Sequence, residues 1–213
     1  MENVNLILFI CIAGPILPVL LMLKEEKSRL FLSLLLIGTI ICLFASSVNF
    51  LILSLYEGDL LYVTTNITPI TEEILKGLPV LYFAWFVTDD RDTLLSVSVA
   101  VGLGFALFEN LIILMENVSS VTILWALTRG IGASLMHSTC TFLVAMGISM
   151  IRKHRKLFIC GTFSLLITAA LYHAIFNTLV QSDYRLFAFL LPGMVSLSLG
   201  IMISREQKRL TGK

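Results

Sequence analysis

Eight residues of this chain offer acid, base, imidazole and amide chemistry: Glu72, Glu73, Lys76, Glu109, Arg129, His137, His173 and Asn177. A carboxylate with an imidazole can take a proton from water. An amide with a second imidazole can stabilise the oxyanion formed when that water attacks a peptide carbonyl. The set therefore describes hydrolysis. Spacing adds shared faces: Glu72 and Lys76 stand four apart, so the base can neutralise one carboxylate of the pair, and His173 and Asn177 are one helical turn apart. Thr68 followed by Pro69 predicts an N-cap and a first helical position, which would put the acid pair near the positive end of a helix.

Other hydrolytic arrangements fit less well. No apolar span contains an Asp for an aspartyl dyad, and no HExxH occurs. Ser134 lies three residues before His137, a coincidence common on any helix. Glu109, His137 and His173 come from three different spans, and together would make a two-imidazole, one-carboxylate set of the kind catalytic zinc accepts. Cys11, Cys42, Cys140 and Cys160 all sit in apolar segments and read as small packing residues.

The elements that must carry these groups follow from composition. Of 213 residues, 57% are hydrophobic and 14% charged, and several uncharged runs reach the roughly 20 residues that cross a bilayer. Hydropathy predicts an all-α, polytopic membrane helix bundle with seven spans, at 4–23, 30–55, 69–88, 94–115, 121–151, 157–180 and 186–204. With a net charge of +1 and no basic patch, nucleic acid is not an expected partner; membrane lipid is. Glu2 with no base before the first apolar run argues against a cleavable signal peptide. Lys and Arg cluster at 24–29, 91, 152–156 and 205–213, against Arg185 alone on the other side. The positive-inside rule then gives an extracytoplasmic N-terminus and a cytoplasmic C-terminus in the cell membrane. With no repeat and no long linker, residues 1–213 read as one domain.

Depth sharpens the chemistry. Of 15 Lys or Arg and 14 Asp or Glu, only Glu72, Glu73, Lys76, Glu109 and Arg129 fall inside spans, where ionisable groups face a bundle interior or a watery cavity. At about 1.5 Å per residue, Glu72, Glu73, Glu109, His137 and His173 all fall within roughly 10 Å of the outer boundary. Four helices thus deliver acids and imidazoles to one layer in the extracytoplasmic third of the membrane.

The motifs EEILK (72–76), GFALFEN (104–110), Arg129 with HSTCT (137–141), and HAIFN (173–177) resemble, in order, those of the PrsW-type intramembrane proteases, within the wider group of CAAX prenyl endopeptidases and bacteriocin-processing enzymes. The likeness covers a core at 69–180. It implies that Glu72 and Glu73 are the essential acid pair, that Glu109 stands where CAAX-type relatives have a histidine, that His137 and His173 complete the site, and that Asn177 is an oxyanion donor. Ile113 and Thr141 depart from the residues common at those places. The resemblance further implies a site-1 protease that cuts a single-pass membrane protein, an anti-sigma factor, from the extracytoplasmic side in regulated intramembrane proteolysis. By analogy with the CAAX enzymes the preferred mechanism is a glutamate-activated water with no cofactor required, and zinc is the one metal kept in view. The alternative is a small proton-coupled transporter or channel, which buried acids and histidines would also suit.

Overall fold

The computed structural model describes residues 2–152 and 154–211, and among them every regular element is helical. Two long helices, α1 (Glu2–Met22) and α2 (Glu26–Leu55), lead to a tight turn in which Glu57 and Gly58 both take positive φ. A short α3 (Leu60–Tyr62) follows, then a π-helical turn (Val63–Ile67) that runs without a break into α4 (Thr68–Phe86). Then come α5 (Arg91–Asn117), a short α6 (Ile123–Leu127), a second π-helical turn (Thr128–Ala133), α7 (Ser134–Ile148), α8 (Arg155–Val180) and α9 (Arg185–Thr211). Side-chain caps start several of these: Asp59 accepts from the Tyr62 amide, Asp90 from that of Thr93 and Thr122 from that of Trp125.

Six helical stretches are long and apolar enough to cross a membrane: α1, α2, α5, the continuous α6–α7 rod, α8 and α9. The seventh predicted span is α4, nineteen residues long and carrying Glu72, Glu73 and Lys76. Its pattern explains how such a helix can sit in an apolar bundle. Positions 68–69, 72–73, 76–77, 80 and 84 are buried, while Ile70, Ile74, Leu78 and Tyr82 point outward with about half of their surface exposed. The 3.6-residue period thus turns the ions inward and gives the apolar side to lipid.

The expected N-cap at Thr68 does not form. Thr68 is already helical, its amide bonds to the Val63 carbonyl in the π turn, and its side chain makes no capping bond. The cause is local: Pro69 has no amide to donate and its ring displaces the carbonyl four residues back, so the helix widens by one residue rather than starting afresh. Glu72 and Glu73 therefore lie inside a continuous helix and not at a free positive end.

The centre of the bundle is α5 and the α6–α7 rod, where 56% and 67% of an 18-residue apolar stretch is buried; α1, at 6%, is peripheral. Close approach at the centre depends on glycine. A Cβ on Gly104 would strike the Leu35 carbonyl of α2, and one on Gly102 would lie 2.8 Å from the His137 carbonyl oxygen of α7. The GLGF glycines thus bring α5 against both neighbours. The RGIGAS glycines are less crowded: Gly130 has open space around its Cβ direction, and a Cβ on Gly132 would come 3.3 Å from the Ala188 carbonyl.

Candidate active site

The inward face of α4 meets α5, α7 and α8 in a polar cluster enclosed by apolar packing. Glu73 and Lys76 are fully buried and form an ion pair, Lys76 Nζ to Glu73 Oε1 at 2.6 Å. The same ammonium donates to His137 Nδ1 of α7 at 2.8 Å and sits 4.6 Å above the Phe105 ring. Because an ammonium can only donate, His137 must carry its proton on Nε2, which faces Glu109 Oε2 of α5 at 3.0 Å. Arg129, in the second π turn, closes this side with a 2.6 Å bond to the same Glu109 oxygen.

On the other side, His173 of α8 donates from Nδ1 to Glu73 Oε1 at 2.8 Å. That bond fixes the tautomer and leaves a lone pair on Nε2, which has no hydrogen-bond partner. It faces Glu72 Oε2, 3.9 Å away and likewise unpartnered. The other oxygen of Glu72 accepts from Asn49 Nδ2 of α2 at 3.0 Å. The two imidazole rings meet edge to face at 4.8 Å. A single run of contacts therefore links Arg129, Glu109, His137, Lys76, Glu73 and His173, and ends at Glu72 and Asn49.

Five of the six residues expected at the site come together here: Glu72, Glu73, Glu109, His137 and His173. Asn177 stands to one side. Its Nδ2 donates at 2.9 Å to the Thr64 carbonyl in the first π turn, and Asn110 similarly donates at 2.8 Å to the Arg129 carbonyl in the second. Each π turn that feeds a site-bearing helix is thus held by an asparagine from a neighbouring helix. Sequence reasoning missed Asn49, Thr71 and Phe105. The available signal for Asn49 was that it is the only carboxamide in the long apolar α2. The cysteines are all unpaired, with Cys42 and Cys140 buried.

A cleft of about 220 Å³ reaches the cluster from the end of the bundle that carries the α2–α3 and α5–α6 connections. Phe50, Leu53, Leu60 and Ile112 line its walls, Glu116 its mouth, and Glu72 and Glu109 its floor. Glu109 keeps 19% side-chain exposure, whereas Glu73 has none.

The donors also test which residues could hold a metal ion. Glu72, His137 and His173 each offer one ligand atom, all within 4.8 Å of one another. Zinc–ligand bonds of about 2.0–2.2 Å place tetrahedral donors roughly 3.4 Å apart, so a modest contraction suffices. Two of the three donors, Glu72 Oε2 and His173 Nε2, are buried with unused lone pairs, and the third, His137 Nδ1, is held by the Lys76 ammonium, which an ion there would displace. This differs from the set of Glu109, His137 and His173 expected from sequence. The reason is Arg129: it claims the Glu109 oxygen and makes that carboxylate an outer partner of His137 Nε2. Glu72 takes its place.

Comparison with known proteins points the same way. The profile of one family, PrsW family intramembrane metalloprotease, matches residues 26–203. No curated protein and no solved structure matches the chain.

Proposed function

The chain belongs to the PrsW family of intramembrane metalloproteases, a family of multi-pass membrane peptide hydrolases, and from that premise we propose how it cuts and what it cuts. Membership favours the metal-assisted alternative over the cofactor-free mechanism preferred from sequence, and sets the transporter reading aside.

In this reading Glu72, His137 and His173 hold a divalent ion, zinc by the chemistry of the set. When bound, such an ion polarises the scissile carbonyl and makes water a nucleophile near neutral pH. The remaining work belongs to the side chains. Glu73, through Oε1, orients His173 so that Nε2 faces the site, and its unpartnered Oε2 is the acceptor for the proton of the attacking water. Lys76 neutralises Glu73, and its bond to His137 Nδ1 is the one an ion would replace. Glu109 fixes the His137 ring from the other side and is itself aimed by Arg129. Asn177 has two amide hydrogens and spends one on Thr64, which leaves one for the carbonyl oxygen of a bound peptide.

The substrate we propose is a single-pass membrane protein of the anti-sigma-factor type, cut beside the extracytoplasmic face. The observation that carries this is the cleft, which joins Glu72 and Glu109 to the bundle end opposite the basic loops at Arg91 and Arg152. An extended juxtamembrane segment can enter there without unwinding a helix in hydrocarbon. The test is cleavage of a single-pass substrate by purified protein in lipid nanodiscs, with the cut mapped by mass spectrometry. Glu72→Gln and Glu73→Gln should each lower turnover at least 100-fold while the protein still accumulates. Wild-type turnover by either, or a cut on the cytoplasmic side, would overturn the proposal.

A further inference from the structure

Asn49 is a half-buried amide in the last third of an apolar helix, and both ends of its side chain have partners. A carboxylate can only accept, so the atom 3.0 Å from Glu72 Oε1 is the amide nitrogen. The Thr71 hydroxyl lies 3.0 Å from Asn49 Oδ1 and equally 3.0 Å from the Thr68 carbonyl, so its one proton is shared between them and supports the same facing of the amide. Thr71 precedes Glu72 on α4, so α2 grips the acid-bearing helix at two adjacent residues. The grip is asymmetric, because Oε1 of Glu72 is taken and Oε2 is left facing His173 Nε2 at 3.9 Å. Without the Asn49 bond the carboxylate could rotate about its terminal torsion, which is broad and roughly two-fold. Asn49 also lines the cleft together with Glu72 and Glu109, so it stands where substrate must pass.

We propose that Asn49 is a positioning residue of the hydrolytic site, clamping one oxygen of Glu72 so that the other is presented toward His173. The inference rests on the reading of Glu72 as a metal-holding carboxylate. It assigns α2, which carries none of the acid or imidazole groups, a part in the chemistry.

The test compares Asn49→Ala, Asn49→Gln, Thr71→Val, Glu72→Gln and the double variant N49A/E72Q in the full-length protein. Zinc affinity is read by competition with a chromophoric chelator, turnover by kcat and KM separately, and folding by thermal unfolding. Removing a group that orients a metal ligand typically costs 10- to 100-fold in affinity or activity. Asn49→Ala should therefore bind zinc 10- to 100-fold more weakly and lose kcat, with KM within about threefold of wild type. Thr71→Val should shift in the same direction by less, and Asn49→Gln should recover part of the loss. The double variant should bind zinc no more weakly than Glu72→Gln alone, since the clamp has nothing left to hold. A lowered melting temperature with zinc affinity and kcat intact would overturn the positioning role and leave Asn49 a packing residue. If Glu72→Gln keeps wild-type zinc affinity, the ligand reading itself fails. If Glu72→Gln loses zinc while Asn49→Ala does not, the Asn49 proposal alone fails.

Discussion

Lys76 and His137 meet across two helices, Nζ 2.8 Å from Nδ1, with the ammonium fully buried and 2.6 Å from Glu73. One cation thus joins the acid pair of α4 to the imidazole of α7. Lys76→Met should leave a buried carboxylate without its partner and cost about 3–5 kcal/mol. It should also strip Glu73 of the cation that holds its carboxylate beside His173, so residual turnover should fall further than the melting temperature alone accounts for. Thermal unfolding in detergent beside nanodisc turnover measures both; a variant with native stability and rate would contradict the linkage.

Metal dependence separates the two candidate ligand sets. Stoichiometric zinc should be found in purified active protein, and dialysis against a chelator should remove zinc and activity together. His173→Ala should lose the metal, because its Nε2 is an unused lone pair in the set. Glu109→Gln should retain stoichiometric zinc and lose turnover by about 10- to 100-fold, as an outer partner of His137 would. Loss of zinc in Glu109→Gln with retention in Glu72→Gln would restore the set expected from sequence.

The central helix crossing makes a sharper stability prediction than any surface residue. Gly104→Ala puts a methyl into the Leu35 carbonyl of α2, backbone that cannot step aside, and should cost about 1–3 kcal/mol as overpacking does. Gly130→Ala, with nothing near its Cβ direction, should leave the melting temperature within a degree or two. Equal effects of the two would mean that α2 and α5 are not held at this distance.

Orientation can be read with cysteines. After replacement of Cys11 and Cys160, the two exposed natural thiols, single cysteines at 66 and 117 should react in intact cells with an impermeant maleimide. Labelling only after the membrane is opened would invert the proposed topology and the side of cleavage with it.

Most of the helices, and the burial of the acids and imidazoles in one cluster, were legible in the sequence, because both rest on local signals. Apolar runs set the spans, and isolated ions within them could only be bundle-facing, as the inward turn of Glu72, Glu73 and Lys76 bears out. What was not legible is who pairs with whom. Glu109 could serve as a metal ligand or as the ion-pair partner of Arg129, and only the 2.6 Å contact between them shows that the pair forms. Asn49 gave no sign of its partner because contacts between helices leave no period in either sequence. The π turns escaped for a related reason: a proline near a helix start reads the same whether the helix begins there or merely widens.

The first π turn also bears on chain length. Residues 63–67 hold one more residue than an α-helical turn would, so the segment carries a built-in surplus. Deleting one residue there would let the rod from Leu60 to Phe86 relax to regular α-helix, and because the widened turn already absorbs the extra residue, the helix on either side would keep its facing. Glu72, Glu73 and Lys76 would keep their places, and so would Leu60 on the cleft wall; the change is confined to the width of the helix where the Thr64 carbonyl meets Asn177. The joint can therefore take up a change in chain length without turning the acid-bearing face of α4 out of the bundle.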